Sequence, residues 1–406
     1  MSYDFDEIID RRHTNALNTD GFRGYIFHAD SHKEFPYKDD EFVRMWVADM
    51  EFATAPEIIE ALHERVDRRI FGYTGMYDGE YFSAFSAWCE SHYGLSFPTE
   101  QICITPGIVP ALFALTELLC SADEKMLVNT PAYSGFAHTA EYAGVQMLKS
   151  PMRKNADGVF EADFDDFEAK CADPSCKLVL WCNPQNPTGR MWTREELSRA
   201  AQIIEDHDLW VVSDEIHCDL IRCGRRHIPM AAVMPDYPKL ITCMAPSKTF
   251  NLAGLAFSNI IIRDSALRER FRQRDKLSGD VNPLSLTAAT AAYERGGEWH
   301  EALKAYLDGN FEFAAEFLRR ELPEAGAYIP EATYLAWVDL GKCLPQGTNL
   351  PAFFANKAGV LLEGGDDLFV GNAAGYVRLN LAMPRSIIRT GLERIVTAVR
   401  NEQAIK

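Results

Sequence analysis

Through the middle of the chain, short apolar runs rich in β-branched residues alternate with longer amphipathic stretches. That alternation predicts strands and helices built around a mostly parallel sheet. Segments 177–182, 209–213, 240–244 and 259–262 are apolar on both faces, the pattern of buried parallel strands. Between the first two, the stretch from Thr193 to His207 opens on a Thr-x-x-Glu capping box and carries apolar residues at helical spacing, which predicts one βαβ unit. Thr105-Pro106-Gly107 follows another apolar run and precedes the helical stretch Pro110 to Leu119, so a strand feeds a helix whose N-terminus lies near Gly107. Beyond about residue 285 the order changes. A long helical stretch from Trp299 to Leu322 comes first, then short strands at 334–340 and 376–381, then a closing helix from Arg385 to Arg400. The expected fold class is α/β: a large domain over 46–284 with a mostly parallel sheet flanked by helices, and a smaller α+β domain from 285–406 joined by an N-terminal arm, 1–45. The arm is polar, aromatic and Asp-rich without a clear period, so it is expected to drape over another surface rather than form a core.

Composition narrows the class. With 406 residues, 47% hydrophobic and 25% charged, the chain can bury a large core over two or three domains, which excludes disorder and coiled coil. A net charge of −18 without a long basic run repels phosphate backbones, so no nucleic-acid partner is expected. The first ten residues are acidic and polar where a signal peptide is basic and then apolar, and no apolar run approaches the roughly 18 residues of a membrane span. A soluble, cytoplasmic protein without membrane association is expected. The ten cysteines are scattered, with no C-x-x-C pair and no histidine at zinc-finger spacing, so neither a disulfide framework nor a metal is assigned. Neither a G-x-G-x-x-G after a strand nor a G-x-x-x-x-G-K-[ST] loop occurs.

Four segments carry candidate chemistry, all at strand ends or helix starts, where open α/β sheets place ligands. Lys248 follows a buried strand among small and apolar residues; a surface loop lysine and a nucleophile with a depressed pKa both fit that setting. Asp214 ends an apolar strand, where a carboxylate either caps the next helix or salt-bridges a protonated pyridine nitrogen, and His217 either packs there or reaches a phenolic oxygen. Between Asn183 and Gly189, two prolines and a glycine stiffen a turn that presents the amide of Asn186. Gly107, Ile108 and Val109 open a helix whose N–H groups form an anion site. A lysine for a Schiff base, an acid for a pyridinium nitrogen and a helix N-terminus for a phosphate are together the three demands of pyridoxal phosphate.

The ordered motifs Thr105-Pro106-Gly107, Pro131-Ala132-Tyr133, N-P-x-N-P-T-G from Asn183, Ser213-Asp214-Glu215-Ile216-His217 and S-K-T-F-N-L-A-G-L from Ser247 resemble fold-type I pyridoxal-phosphate enzymes of the class I/II aminotransferase superfamily. Asp6 to Arg12, Met45 to Met50 and Phe71 to Thr74 are similar to the cystathionine β-lyase branch that includes the MalY and PatB C-S lyases. The resemblance implies that Lys248 holds the cofactor and then removes the substrate Cα proton. By the same resemblance Asp214 keeps the pyridine nitrogen protonated, Asn186 with His217 meets the phenolic oxygen, and Tyr133 stacks on the ring. Gly107, Ile108, Val109 and Ser247 would hold the phosphate, and Tyr73 would reach the phosphate of a neighbouring subunit, making a homodimer part of the site. In the strand around Arg378, Tyr376, Arg378 and Asn380 share the non-core face. The resemblance makes Arg378 the grip on the substrate α-carboxylate, with Ala48 and Asn186 beside it; a structural salt bridge is the other use of such an arginine. Many aminotransferases carry a phosphate-neutralising arginine eight residues after the lysine, where this chain has Ala256.

The resemblance therefore implies β-elimination on an S-substituted L-cysteine such as L-cystathionine, releasing a thiol, pyruvate and ammonia. An aminotransferase shares the first steps and returns the proton to the cofactor, so it is the alternative that cofactor residues alone leave open. A catalytically idle ligand-binding protein on the same scaffold is the third reading, opposed by the joint presence of Lys248, Asp214 and Arg378.

Overall fold

The structure, a computed structural model, describes residues 3–275 and 280–404. Its centre is a seven-stranded sheet in the spatial order Ile102–Thr105, Ser258–Ile262, Leu240–Met244, Trp210–Asp214, Cys176–Cys182, Lys125–Thr130, Gln146–Pro151. The five strands from Leu240–Met244 to Gln146–Pro151 run parallel to one another. Ser258–Ile262 departs from the expectation for 259–262: it is antiparallel to both neighbours. All five of its residues are buried. Helices cover both sheet faces, so its sequence is apolar on both sides whichever way it runs, and polarity alone does not encode direction.

The capping box forms as its spacing requires. Thr193 accepts the N–H of Glu196 at 3.2 Å, and the Glu196 carboxylate accepts the N–H of Thr193 at 2.9 Å, opening helix Arg194–Asp206. Helix Ile108–Leu119 starts directly after Gly107. A four-stranded antiparallel sheet, ordered Gly326–Ala327, Leu335–Asp339, Tyr376–Asn380, Glu363–Gly364, lies against helices Gly297–Glu321 and Arg385–Ala404 around a second core that includes Phe311, Val377, Leu379 and Leu392.

The N-terminal segment does more than drape. Phe5, Phe22 and Ile26 are buried in the same cluster as residues of the large sheet, and Phe22 packs on Phe27, Phe35 and Phe42. Its aromatic residues follow no period because the backbone is mostly irregular, so burial there leaves no helical or strand pattern to read. Among the described residues no helix is long and apolar enough to cross a membrane.

Candidate active site

The sheet register sets the site. Cys182, Asp214 and Cys243 are partners at the carboxyl ends of three adjacent parallel strands. The chain leaving each end carries one motif: Asn183 to Gly189 after the first, Glu215 to His217 after the second, Pro246–Thr249 with Lys248 after the third. Such carboxyl-end crevices are where α/β sheets bind ligands.

Lys248 is partly buried, and its Nζ donates to the carbonyl of Ala48 at 2.6 Å. Burial lowers its pKa to about 8, against the pull of Asp49, Glu363 and Asp214. Asp214 is buried; among the described residues it accepts only the N–H of Ile216, at 3.2 Å, and burial raises its pKa to about 7. No helix follows at once for it to cap; a short 3₁₀ turn begins at Cys218. His217 is buried, its Nδ1 has no hydrogen-bond partner among the described residues, and burial together with the Lys248 and Arg378 charges depresses its pKa, so the ring is neutral. A buried nitrogen without a partner and a buried carboxyl that the Lys248 charge only partly offsets are a costly arrangement in a chain alone.

The turn after Cys182 is held in place by its own groups. Gly189 has φ +69°, and a Cβ there would meet Pro330 Cβ at 2.6 Å and the Ala332 carbonyl at 2.9 Å, so this turn needs glycine. Gln185 Nε2 donates to the Pro131 carbonyl at 2.6 Å, tying the turn to the strand of Tyr133. Tyr133 itself lies on the short strand Ala132–Tyr133, paired with Phe369–Val370, and precedes helix Ser134–Ala143. The first N–H groups of helix Ile108–Leu119, after Gly107, have no intrahelical acceptor, and Ser247 sits one residue before Lys248.

Arg378 is only 2% exposed, so the face it shares with Asn380 is buried like the opposite, core face. Its Nη2 donates to Glu363, 3% exposed, and its Nη1 donates to Asn186 Oδ1 at 3.1 Å, while Nε is without a partner among the described residues. Burial raises the Glu363 pKa and Arg378 opposes that rise. Two of five guanidinium N–H groups are thus used, leaving enough for a carboxylate. Asn380 Nδ2 donates to the carbonyls of Val47 and Asp49 at 2.8 and 2.6 Å, and Asn251 Nδ2 donates to the Met50 carbonyl at 3.0 Å. The Met45-to-Met50 segment is therefore clamped between the strand of Arg378 and the turn of Lys248.

Two residues here escaped the sequence reading. Glu363 gives no signal, since a carboxylate in a short strand reads as surface. Tyr334, whose hydroxyl donates to the same Ala48 carbonyl at 2.8 Å and whose ring stands edge-on to His217, reads as an ordinary strand aromatic. Tyr73 goes the other way: it is 98% exposed, and a single chain does not bring it to the lysine. Ala256 is exposed at the end of a 3₁₀ turn.

The family profile described as aminotransferase class I and II matches residues 41–395. The chain belongs to that family. It is 39% identical over 359 residues to cystathionine β-lyase PatB of Bacillus subtilis, covering 87% of this chain and 92% of that one. It is 32% identical over 402 residues to the protein MalY of Escherichia coli, covering 98% and 99%. Among solved structures, a PLP-bound C-S lyase from Staphylococcus hominis complexed with the inhibitor L-cycloserine superposes with a TM-score of 0.94 at 44% identity, covering 98% of each chain. The fold is that of the fold-type I pyridoxal-phosphate enzymes, and the expected likeness to the MalY and PatB branch holds.

Proposed function

We propose that the protein is a cytoplasmic, homodimeric, pyridoxal-phosphate-dependent C-S β-lyase that cleaves S-substituted L-cysteines, L-cystathionine among them, to a thiol, pyruvate and ammonia. The observation that supports this reading is the meeting of three groups at the carboxyl ends of adjacent strands: an amine whose pKa burial lowers to about 8, a carboxyl whose pKa burial raises to about 7, and the Nδ1 of His217, without a partner among the described residues. These fit the cofactor. Lys248 would hold it, Asp214 would face its ring nitrogen, Asn186 and His217 its phenolic oxygen, Tyr133 its ring face, and Gly107, Ile108, Val109 and Ser247 its phosphate. A protonated pyridine nitrogen opposite Asp214 would return that carboxyl to its ionised form.

Bound pyridoxal phosphate supplies an electron sink for the pair left on Cα when its proton departs. The protein's part is position and proton transfer. Arg378 binds the α-carboxylate through the N–H groups that Glu363 and Asn186 leave unused. The clamp on Met45 to Met50 keeps Ala48 beside it. The Lys248 amine would remove the Cα proton; burial lowers its pKa to about 8 in the cofactor-free chain, which favours the neutral, proton-accepting form over that of an ordinary lysine. Loss of a thiolate from Cβ then completes the elimination; the Lys248 ammonium would give its proton to the leaving sulfur, and the released 2-aminoacrylate would take up water to yield pyruvate and ammonia.

The dimer reading is supported by the surface around Tyr73. Ile70, Phe71, Tyr73 and Tyr77 are all exposed, Tyr77 by 93%, which is unusual for a run of large apolar side chains in a monomer. A second copy covering this segment would explain it, and sedimentation at the mass of one chain would contradict it.

The deciding experiment is pyruvate release from L-cystathionine by the cofactor-loaded protein without a keto-acid acceptor. Many turnovers per site are expected. A single change of cofactor absorbance, reversed only by adding a keto acid, would make the protein an aminotransferase instead. Lys248→Ala should abolish pyruvate formation with the fold intact; continued turnover would remove Lys248 from its role.

A further inference from the structure

Away from the cleft, the end of helix Glu80–Tyr93 meets the first turn of helix Gly297–Glu321. There His92, His300 and Glu301 each offer a ligand atom, and these atoms lie within 4.8 Å of one another. His300 is 1% exposed, and its Nε2 stands 2.7 Å from the backbone carbonyl of Asp219. A carbonyl only accepts, so the proton is on Nε2 and the lone pair on Nδ1. That Nδ1 is buried without a hydrogen-bond partner among the described residues, with Glu301 Oε1 3.8 Å away. His92 Nδ1 lies 2.9 Å from both the Trp88 carbonyl and Ser91 Oγ, whose own hydroxyl donates to that carbonyl at 2.9 Å; in the tautomer with the proton on Nδ1 the lone pair is on Nε2, and the ring is stacked on Trp88 with centroids 3.8 Å apart.

We propose that His92, His300 and Glu301 bind a divalent transition-metal ion of the zinc class, with a further position open to water. Two neutral imidazoles and one carboxylate are a donor set suited to zinc rather than to calcium or magnesium, which take oxygen. Each imidazole is already fixed by a backbone carbonyl on its other nitrogen, as metal-binding histidines are. Burial, with the nearby Lys304 charge, keeps His300 below the ordinary imidazole range, so no proton has to leave it. Tetrahedral ligands on zinc lie about 3.4 Å apart, so a shift of little more than about an ångström closes the set. Glu301 is exposed, so its carboxylate can swing toward the two imidazoles; the Lys304 ammonium, 2.7 Å from that carboxylate, must release it and move to solvent. The ion would bear on the active site's frame, because Asp219 also accepts from Trp88 Nε1 and from Thr249 Oγ1, both at 2.8 Å, and Thr249 adjoins Lys248.

The test is calorimetric titration of ZnCl2 into chelator-treated holoenzyme, with zinc content measured after gel filtration. One ion per chain is expected. His92→Ala and Glu301→Gln should each weaken binding by more than about tenfold, since even the outer partners of metal ligands are worth that much. Cys223→Ser, which removes an exposed thiol, should change nothing. X-ray absorption at the zinc edge of the parental protein reads the site without any variant, and only nitrogen and oxygen neighbours are expected. Failure to bind zinc, equal binding by the two variants, loss of binding with Cys223→Ser, or a sulfur shell would each overturn the proposal.

Discussion

Replacing Arg378 by lysine isolates geometry from charge. A lysine keeps a cation beside Glu363, so the buried carboxylate is not stranded; Arg378→Ala would strand it, at a cost of about 3–5 kcal/mol. What lysine loses is the planar fork: the 3.1 Å bond to Asn186 and the second of two parallel bonds to a substrate carboxylate. One charge-assisted hydrogen bond is worth about 1.5–3 kcal/mol. At about 1.4 kcal/mol per decade, kcat/KM for L-cystathionine should fall about 10- to 150-fold. Since the carboxylate is gripped equally before and during elimination, the loss should appear mainly as a higher KM. Initial rates of pyruvate formation over a range of substrate concentrations measure it, and thermal unfolding of the same preparation checks that the fold is kept. A KM within about twofold of the parent's, where a lost bond demands tenfold or more, would leave Arg378 as a structural partner of Glu363 only.

Other perturbations test other links. Asp214→Asn replaces a carboxyl whose pKa near 7 lies above its unfolded value, so ionising it costs the folded state progressively as pH rises from about 4 to about 7. The cofactor-free variant should therefore match the parent at low pH and exceed its stability at pH 8, while turnover falls by more than about a hundredfold for want of a carboxylate facing the ring nitrogen; equal turnover would dismiss that role. Lys248→Met should stabilise the cofactor-free protein near neutral pH, because burial penalises the ammonium. The parent should recover as pH rises from about 8 towards about 10.4, so a difference that stays constant with pH would count against the depressed pKa. Gly189→Ala forces a left-handed Cβ against Pro330 and should lower stability by roughly 1–3 kcal/mol in denaturant melts; an unchanged midpoint would show that the turn yields. Tyr73→Phe should weaken cofactor retention on dialysis with the dimer mass unchanged, and undiminished retention would detach Tyr73 from the phosphate.

What the sequence by itself determined is the set of local decisions. The Thr193 box, the helix start after Gly107, the turn that two prolines and a glycine stiffen from Asn183 to Gly189 and the apolar strands are written within a few residues, since capping, turn chemistry and side-chain periodicity act over that range. The motifs of Lys248, Asp214 and Asn186 were legible for the same reason: each closes a strand. The direction of strand Ser258–Ile262 was not, because burial on two faces looks alike in either orientation. Only the tertiary structure decided which groups are left without partners. It set Glu363 opposite Arg378 in the small sheet, placed two donors on the Ala48 carbonyl and stranded Nδ1 of His217. It also brought His92 against His300, residues far apart in the chain that no spacing rule connects. Desolvation and pairing depend on what every other segment leaves uncovered, and that is settled only when the whole chain has packed.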